Sequence, residues 1–299
     1  MWLPWQPAVL AALALVALVV ATRGWPSSLV AVGRAFAGEI ALVLGLYALW
    51  QIAGQLSVMR VDGAMARGTS LWNVERTLHL PSELSLQQVL LDHPLLIQLC
   101  NGYYAIAHVP AVIAVLIWAF VWHRDRYPQL RNVLALLTGA CLLIQLVPVA
   151  PPRLLPGLGF VDSGHLYGQS VYTAVGTGVS DQLSAMPSVH IGWAVLVAVA
   201  VVLIGTSPWR WLVVAHPVLT FVVVAATGNH WWLDGVGAIV VLGVVALLER
   251  SARAALGGRL VYPLSAAPVS GLGSPAGRGS GDPPPWSPDV EPVAASTGP

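Results

Sequence analysis

Seven stretches of this chain each run for about the length of a bilayer-crossing helix with almost no charge, and nothing else in the sequence restricts the fold as much. A hydrocarbon core of about 30 Å needs roughly 20 apolar residues per helix. With a window of that size the stretches fall near 6–22, 34–58, 94–121, 129–148, 187–205, 209–227 and 234–250. Charged residues make up only 9% of the 299, where a soluble domain carries roughly 25%. That deficit excludes an ordinary cytosolic protein, a nucleic-acid binder and a disordered chain. The net charge of +1 points to no acidic partner. Cys100 and Cys141 lie in apolar runs, where buried free thiols are expected rather than a disulfide framework. The predicted fold class is all-α, a polytopic protein integral to a membrane.

The first stretch is short and looks in part like a signal-peptide core. No basic residue precedes it and no clear small-x-small site follows it, so it is read as a span. If the chain starts outside, one face collects Arg23, Arg34, Arg124, Arg126, Arg131, Arg210, Arg250, Arg253, Arg259 and Arg278. The other face holds Arg60, Arg67, Arg76 and Arg153. Ten against four makes the first face cytoplasmic by the positive-inside rule. Trp25, Trp122, Trp209, Trp211, Trp231 and Trp232 fall at the ends of spans, as an interfacial aromatic belt requires. Three segments follow: 1–33 with the first span, a membrane domain over 34–255, and a tail over 256–299. The tail is rich in Gly, Pro and Ser without apolar period, and is expected to be flexible and cytoplasmic.

Two long connections lie on the outer face. One, 59–93, carries Arg60, Asp62, Arg67, Glu75, Arg76, Glu83 and Asp92, and its stretch 71–80 has apolar spacing suited to a helix on the membrane surface. The other, 149–186, is rich in Gly and Pro and holds Arg153, Asp162, His165 and Asp181.

Ionisable groups at membrane depth are costly and mark candidate sites. Three polar segments meet on the outer side: Pro-Val-Ala-Pro-Pro-Arg over 148–153, Ser-Ala-Met-Pro-Ser-Val-His over 184–190, and Thr-Gly-Asn-His-Trp-Trp-Leu-Asp over 227–234. Pro187 suits the first turn of a helix, whose free N–H groups form an anion site, with Ser188 adding a hydroxyl and His190 close by. Taken alone, that segment is equally well a helix cap with a packed histidine. His230 and Asp234, four apart, would share a helix face. A carboxylate on one imidazole nitrogen makes the other a better nucleophile or base; alternatively the pair glues two helices, with Gly228, Gly235 and Gly237 allowing close packing. Arg153 offers the planar fork that phosphoryl transfer uses to neutralise equatorial oxygens. Of the other histidines, His108, near Tyr103 and Tyr104, is expected to line the cavity or bond across helices. His79, His93, His123 and His216 read as interfacial or loop residues, and His165 as a substrate-loop contact.

Together, Ala-Met-Pro-Ser-Val-His and, about forty residues later, Gly-Asn-His-Trp-Trp-Leu-Asp resemble the type 2 phosphatidic acid phosphatase superfamily. Ala-Pro-Pro-Arg over 150–153 and the Tyr-Tyr-x-x-x-His-x-Pro of 103–110 resemble its branch containing fungal inositol phosphorylceramide synthase and bacterial relatives. The resemblance covers roughly 70–250. It implies a core of six transmembrane helices, here preceded by one extra. It also implies that His230 is the nucleophile forming a phosphohistidine, that Asp234 orients it, and that His190 protonates the leaving alcohol. Ser188 and Arg153 would hold the phosphate, and neither a metal nor another cofactor is expected. Three positions depart from the pattern. Val224 stands where many relatives have Arg, the Lys-containing first motif is absent, and Pro-Ser-Val-His replaces Pro-Ser-Gly-His. Arg60, Arg67 and Arg76 are candidates for a further charge partner.

The expected activity is therefore that of a lipid phosphatase or inositolphosphotransferase-like phosphotransferase at the outer leaflet of the plasma membrane. It would pass a phosphoryl or headgroup-phosphoryl unit from a lipid phosphoester to water or an alcohol. The expected partners are that lipid, an acceptor alcohol and the surrounding membrane lipids, with no nucleic acid. Two alternatives compete. One is a zinc-dependent hydrolase using two His and a carboxylate, although no His-Glu-x-x-His occurs. The other is a non-catalytic lipid-binding or transport protein whose polar residues line a path.

Overall fold

The computed structural model describes residues 4–58, 61–171 and 182–255. The tail expected from 256, together with Arg60 and Asp181, lies outside these. Among the described residues the chain is all-helical and holds no strand. Apolar helices α1 (Trp5–Ala21) and α2 (Ser28–Val58) pack together as a hairpin. Its turn is closed by the Arg34 guanidinium, which donates to the Thr22 carbonyl at 2.7 Å. Helices α3 (Val61–Thr77) and α4 (Glu83–Leu91) follow in the first long connection. The helix expected over 71–80 is thus α3, starting ten residues earlier.

The third apolar stretch is two helices, α5 (Pro94–Ile106) and α6 (His108–Trp122), set 46° apart. Pro110 explains the break. It has no N–H to offer the Ile106 carbonyl, and its ring crowds that turn. Helix α7 (Tyr127–Ile144) leads into the second connection, which holds a 3-10 turn at Pro152–Leu154 and the short α8 (Ser163–Leu166). Then come α9 (Val189–Ile204), α10 (Ala215–Ala226), preceded by a 3-10 turn at Pro208–Val214, and α11 (Trp232–Ala255).

By length and hydropathy Ser28–Ile52, Tyr127–Ile144, Pro208–Ala226 and Trp232–Ala255 are candidate membrane spans, and the bent α5–α6 pair is a fifth if taken as one span. Helices α1 and α9 are apolar but shorter, at 17 and 16 residues.

Helix α9 touches α6, α7, α10 and α11. A helix surrounded this way must be apolar on every face, and α9 buries Ile191, Ala194, Leu196, Val197, Ala198 and Ala200. Around it the core joins Leu130, Val133, Leu137 and Cys141 of α7 to Leu242 and Val245 of α11. Cys100 and Cys141 are both free thiols, Cys141 fully buried. A second cluster, with Trp231 at its centre, lies beneath the connections.

The tryptophans divide. Trp25, Trp122, Trp209 and Trp211 are exposed, as belt residues should be, but Trp231 is fully buried. Its indole N–H donates to the Ala150 carbonyl at 3.0 Å, and that of Trp232 to the Pro81 carbonyl at 2.8 Å. These two anchor the connections to α11, and the buried Trp231 is not a belt residue.

Candidate active site

The three polar segments come together through backbone contacts. Val149 forms a bridge with Ser184: the Val149 N–H donates to the Leu183 carbonyl at 2.7 Å, and the Ala185 N–H to the Val149 carbonyl at 3.2 Å. The Arg153 N–H donates to the Gly228 carbonyl at 3.0 Å, and the Ser188 N–H to the Asp234 carbonyl at 3.1 Å. Gly228 makes that crossing possible. It sits at φ +66°, and a Cβ there would lie 3.2 Å from the Arg153 Cβ, a position that favours glycine.

His230 lies in the turn between α10 and α11. Its Nδ1 is 2.8 Å from the Ala185 carbonyl and 3.4 Å from Asp234 Oδ2. A carbonyl can only accept, so Nδ1 carries the hydrogen and the lone pair sits on Nε2. Among the described residues, that Nε2 is buried with no hydrogen-bond partner. The expected contact of His230 with Asp234 is present, but not along one helix face. Helix α11 starts only at Trp232, so the two meet across its first turn. The nearer fixing group is the Ala185 carbonyl. Asp234 Oδ2 accepts from the Trp231 N–H at 2.8 Å, the backward reach of a capping box, and from there keeps a carboxylate beside the imidazole.

His190 is in the first turn of α9, its ring centroid 5.7 Å from that of His230. Its Nδ1 is likewise buried without a partner among the described residues. Pro187 lies just before the helix instead of in its first turn. Ser188 is the cap, and its Oγ accepts from the Ile191 N–H at 3.4 Å. Ser188 is fully buried beside these imidazoles.

Arg153 is buried as well. Its Nε donates to Asn229 Oδ1 at 2.8 Å, and one terminal nitrogen reaches Asp162 Oδ2 and Gln182 Oε1, both at 3.3 Å. Asn229 thus ties the arginine to the residue next to His230. Arg153, Asn229, Tyr104, Asn101, Asp162 and Ser170 border a small cavity with room for roughly one water. Tyr104 links this cavity to the histidines, its ring 4.6 Å from His190 and 6.3 Å from His230.

Several residues at the site carry no strong sequence signal. Glu75 and Glu83 read as loop charges, yet both are fully buried at the start of α11. The Leu233 N–H donates to Glu75 Oε1 at 2.8 Å and the Trp232 N–H to Glu83 Oε1 at 3.4 Å. Burial and the neighbouring Glu83 push the Glu75 carboxyl up to about 9. Glu75 is therefore neutral at pH 7. The two remaining described candidates for extra positive charge have other partners. Arg67 Nε donates to the Pro148 carbonyl at 2.6 Å, and Arg76 pairs with Glu83 at 3.0 Å over the face of Trp72. Val224 is packed with Tyr104 and Ile191, and its carbonyl accepts from the N–H groups of Asn229 and His230.

His216, expected at an interface or in a loop, is on α10 and lies 2.6 Å through Nδ1 from the Tyr103 hydroxyl. His108 does bond across helices, its Nε2 3.4 Å from Thr220 Oγ1. His79, His93 and His123 lie at helix ends, and His165 is exposed on α8. Among the described residues no group of three His, Cys, Asp or Glu side chains is placed to hold a metal ion.

No curated protein and no solved structure was found to match the chain. The family model of the PAP2 superfamily does match, over residues 69–248. That stretch runs from within α3 to near the end of α11 and includes both imidazoles, their carboxylate and the buried arginine, so the chain belongs to the PAP2 superfamily.

Proposed function

We propose that this protein is a metal-independent lipid phosphatase or phosphotransferase working through a phosphohistidine on His230. Lipid phosphatase-like chemistry follows from the family. The finer reading is carried by one observation: two imidazoles 5.7 Å apart, each with a ring nitrogen that no described protein group occupies. A phosphorus atom between them would meet a nucleophile on one side and an acid on the other, the in-line arrangement phosphoryl transfer needs.

In the first step Nε2 of His230 attacks phosphorus. The bond to the leaving alcohol oxygen breaks, and His190 gives that oxygen its proton. Nδ1 keeps its hydrogen on the Ala185 carbonyl, and the Asp234 carboxylate stabilises the charge that develops on the ring. Arg153 and the Ser188 hydroxyl bind the phosphoryl oxygens. In the second step the acceptor, water or an alcohol, returns a proton to His190 as its oxygen displaces His230. Substrate phosphate has to compete with Asp162 and Gln182 for Arg153. The branch assignment, an inositolphosphotransferase-like enzyme with a core of six transmembrane helices and α1 as the extra one, belongs to this proposal. So does a plasma-membrane site facing away from the cytoplasm.

The test is a product analysis of purified protein with mixed phospholipids and prenyl phosphates. Free phosphate identifies a phosphatase, and a new headgroup-bearing lipid a transferase. His230→Ala is expected to abolish turnover, vanadate to inhibit, and acid-labile phosphoprotein to disappear in the variant. Full activity of His230→Ala would end the mechanism.

A further inference from the structure

We infer that His108 is a positioning residue for His190, held in place by Thr220 at the break between α5 and α6; this rests on the acid role of His190 given under Proposed function. His108 begins α6, where Pro110 interrupts the apolar stretch. It is 3% exposed, on a segment otherwise devoted to lipid-like side chains. Its ring meets that of His190 edge to face, centroids 4.9 Å apart at 73°. Tyr104, one turn earlier, covers His190 at 4.6 Å. An imidazole without hydrogen bonds of its own can turn about χ1 and χ2; these two rings are what restrict it.

His108 needs an anchor in turn, and hydrogen-bond accounting supplies one. The Thr220 hydroxyl donates to the His216 carbonyl at 2.8 Å, so toward His108 Nε2, 3.4 Å away, it can only accept. The Tyr103 hydroxyl completes the cluster, 3.0 Å from Thr220 Oγ1 and 2.6 Å from His216 Nδ1. An order therefore runs from α10 through Thr220 and His108 to His190. None of these groups is in the reacting set, so their effect is on where the His190 proton sits, not on binding the phosphate.

An acid matters in proportion to how poor the leaving group is, which gives a readout that a merely structural role would not move. The probes are p-nitrophenyl phosphate and dodecyl phosphate, with dodecyl p-nitrophenyl phosphate and didodecyl phosphate as the diester pair. A nitrophenolate departs without help, whereas an alkoxide needs the proton. Misplacing an acid whose contribution is typically 100-fold or more, His108→Phe is expected to lower kcat/KM, which reports only the step that releases the leaving group, about 30-fold for the dodecanol-releasing member of whichever pair is turned over. The nitrophenyl member should lose less than about 3-fold in kcat/KM. Thr220→Val, which removes only the anchor, should give the same pattern more weakly, and it carries the test if His108→Phe does not fold. His108→Gln, whose amide can still donate to Thr220, should recover part of the loss. Equal losses for both leaving groups, or none, would overturn the inference. If His190→Ala itself shows no leaving-group dependence, or the wild type turns over neither pair, the failure lies in the proposed function.

Discussion

Glu75 shows how a single buried group couples the site to pH. Its Oε1 accepts from the Leu233 N–H, while Oε2 is buried with no donor facing it among the described residues. Protonated, that oxygen donates to Glu83, and both ends are satisfied. The carboxyl titrates near 9 in the fold, against 4.5 in the unfolded chain. A raised value means that the folded state holds a proton the unfolded state releases. The stabilisation is complete below about 4.5 and is lost as pH rises toward about 9. Glu75→Gln keeps the geometry of the neutral acid. It should match the wild type near pH 4.5 and show a flatter loss of Tm in detergent from there to pH 9. Parallel profiles would contradict the assignment. Glu75→Ala strands the Leu233 N–H and should cost about 1–3 kcal/mol.

At the scale of elements, the site depends on how closely α11 can approach α9 and α10. Gly235 sets that distance: a Cβ there would lie 2.3 Å from the Phe221 ring and 2.7 Å from Ile191. Gly243, two turns on, has open space. Gly235→Ala should therefore cost about 1–3 kcal/mol by overpacking. It should also lower activity, because the first turn of α11 carries Asp234 and receives the Ser188 N–H. Gly243→Ala should be neutral or slightly stabilising, since alanine favours helix. Thermal unfolding and turnover of the two variants check this, and equal stability would show that α11 has room to move. Of the three glycines that sequence reasoning assigns to helix packing, Gly235 does that work. Gly237 meets Met186 only at 3.4 Å, and Gly228 forms a turn.

The whole molecule has two polar ends. Arg153, Asp162 and the histidines occupy one. At the other, Arg131 of α7 pairs with Glu39 of α2, and Glu249 of α11 with Arg253. The proposed orientation puts this second end in the cytoplasm. In a background lacking Cys100 and Cys141, His165→Cys should react with a membrane-impermeant maleimide in intact cells, and Thr206→Cys only after permeabilisation. The reverse labelling would invert the topology and put the site inside.

Helix content and the rough limits of the apolar stretches were legible because each depends on a local quantity, the run of apolar residues between charges. The polar segments could be read as converging because helix direction alternates with each crossing. Details that depend on three-dimensional neighbours were hidden. Glu75 and Glu83 look like any exposed loop charge until α11 presents its free N–H groups to them. Trp231 looks like a belt residue until packing buries it and the Ala150 carbonyl takes its indole N–H. The tautomer of His230 depends on a backbone carbonyl 45 residues away, which no side-chain pattern encodes. Composition and periodicity alone made this a helical membrane chain with histidines, an aspartate and an arginine at one end. Which nitrogen is free, which carboxylate is neutral and which ring steadies His190 were decided by packing, because hydrogen bonds and burial depend on atoms distant in sequence.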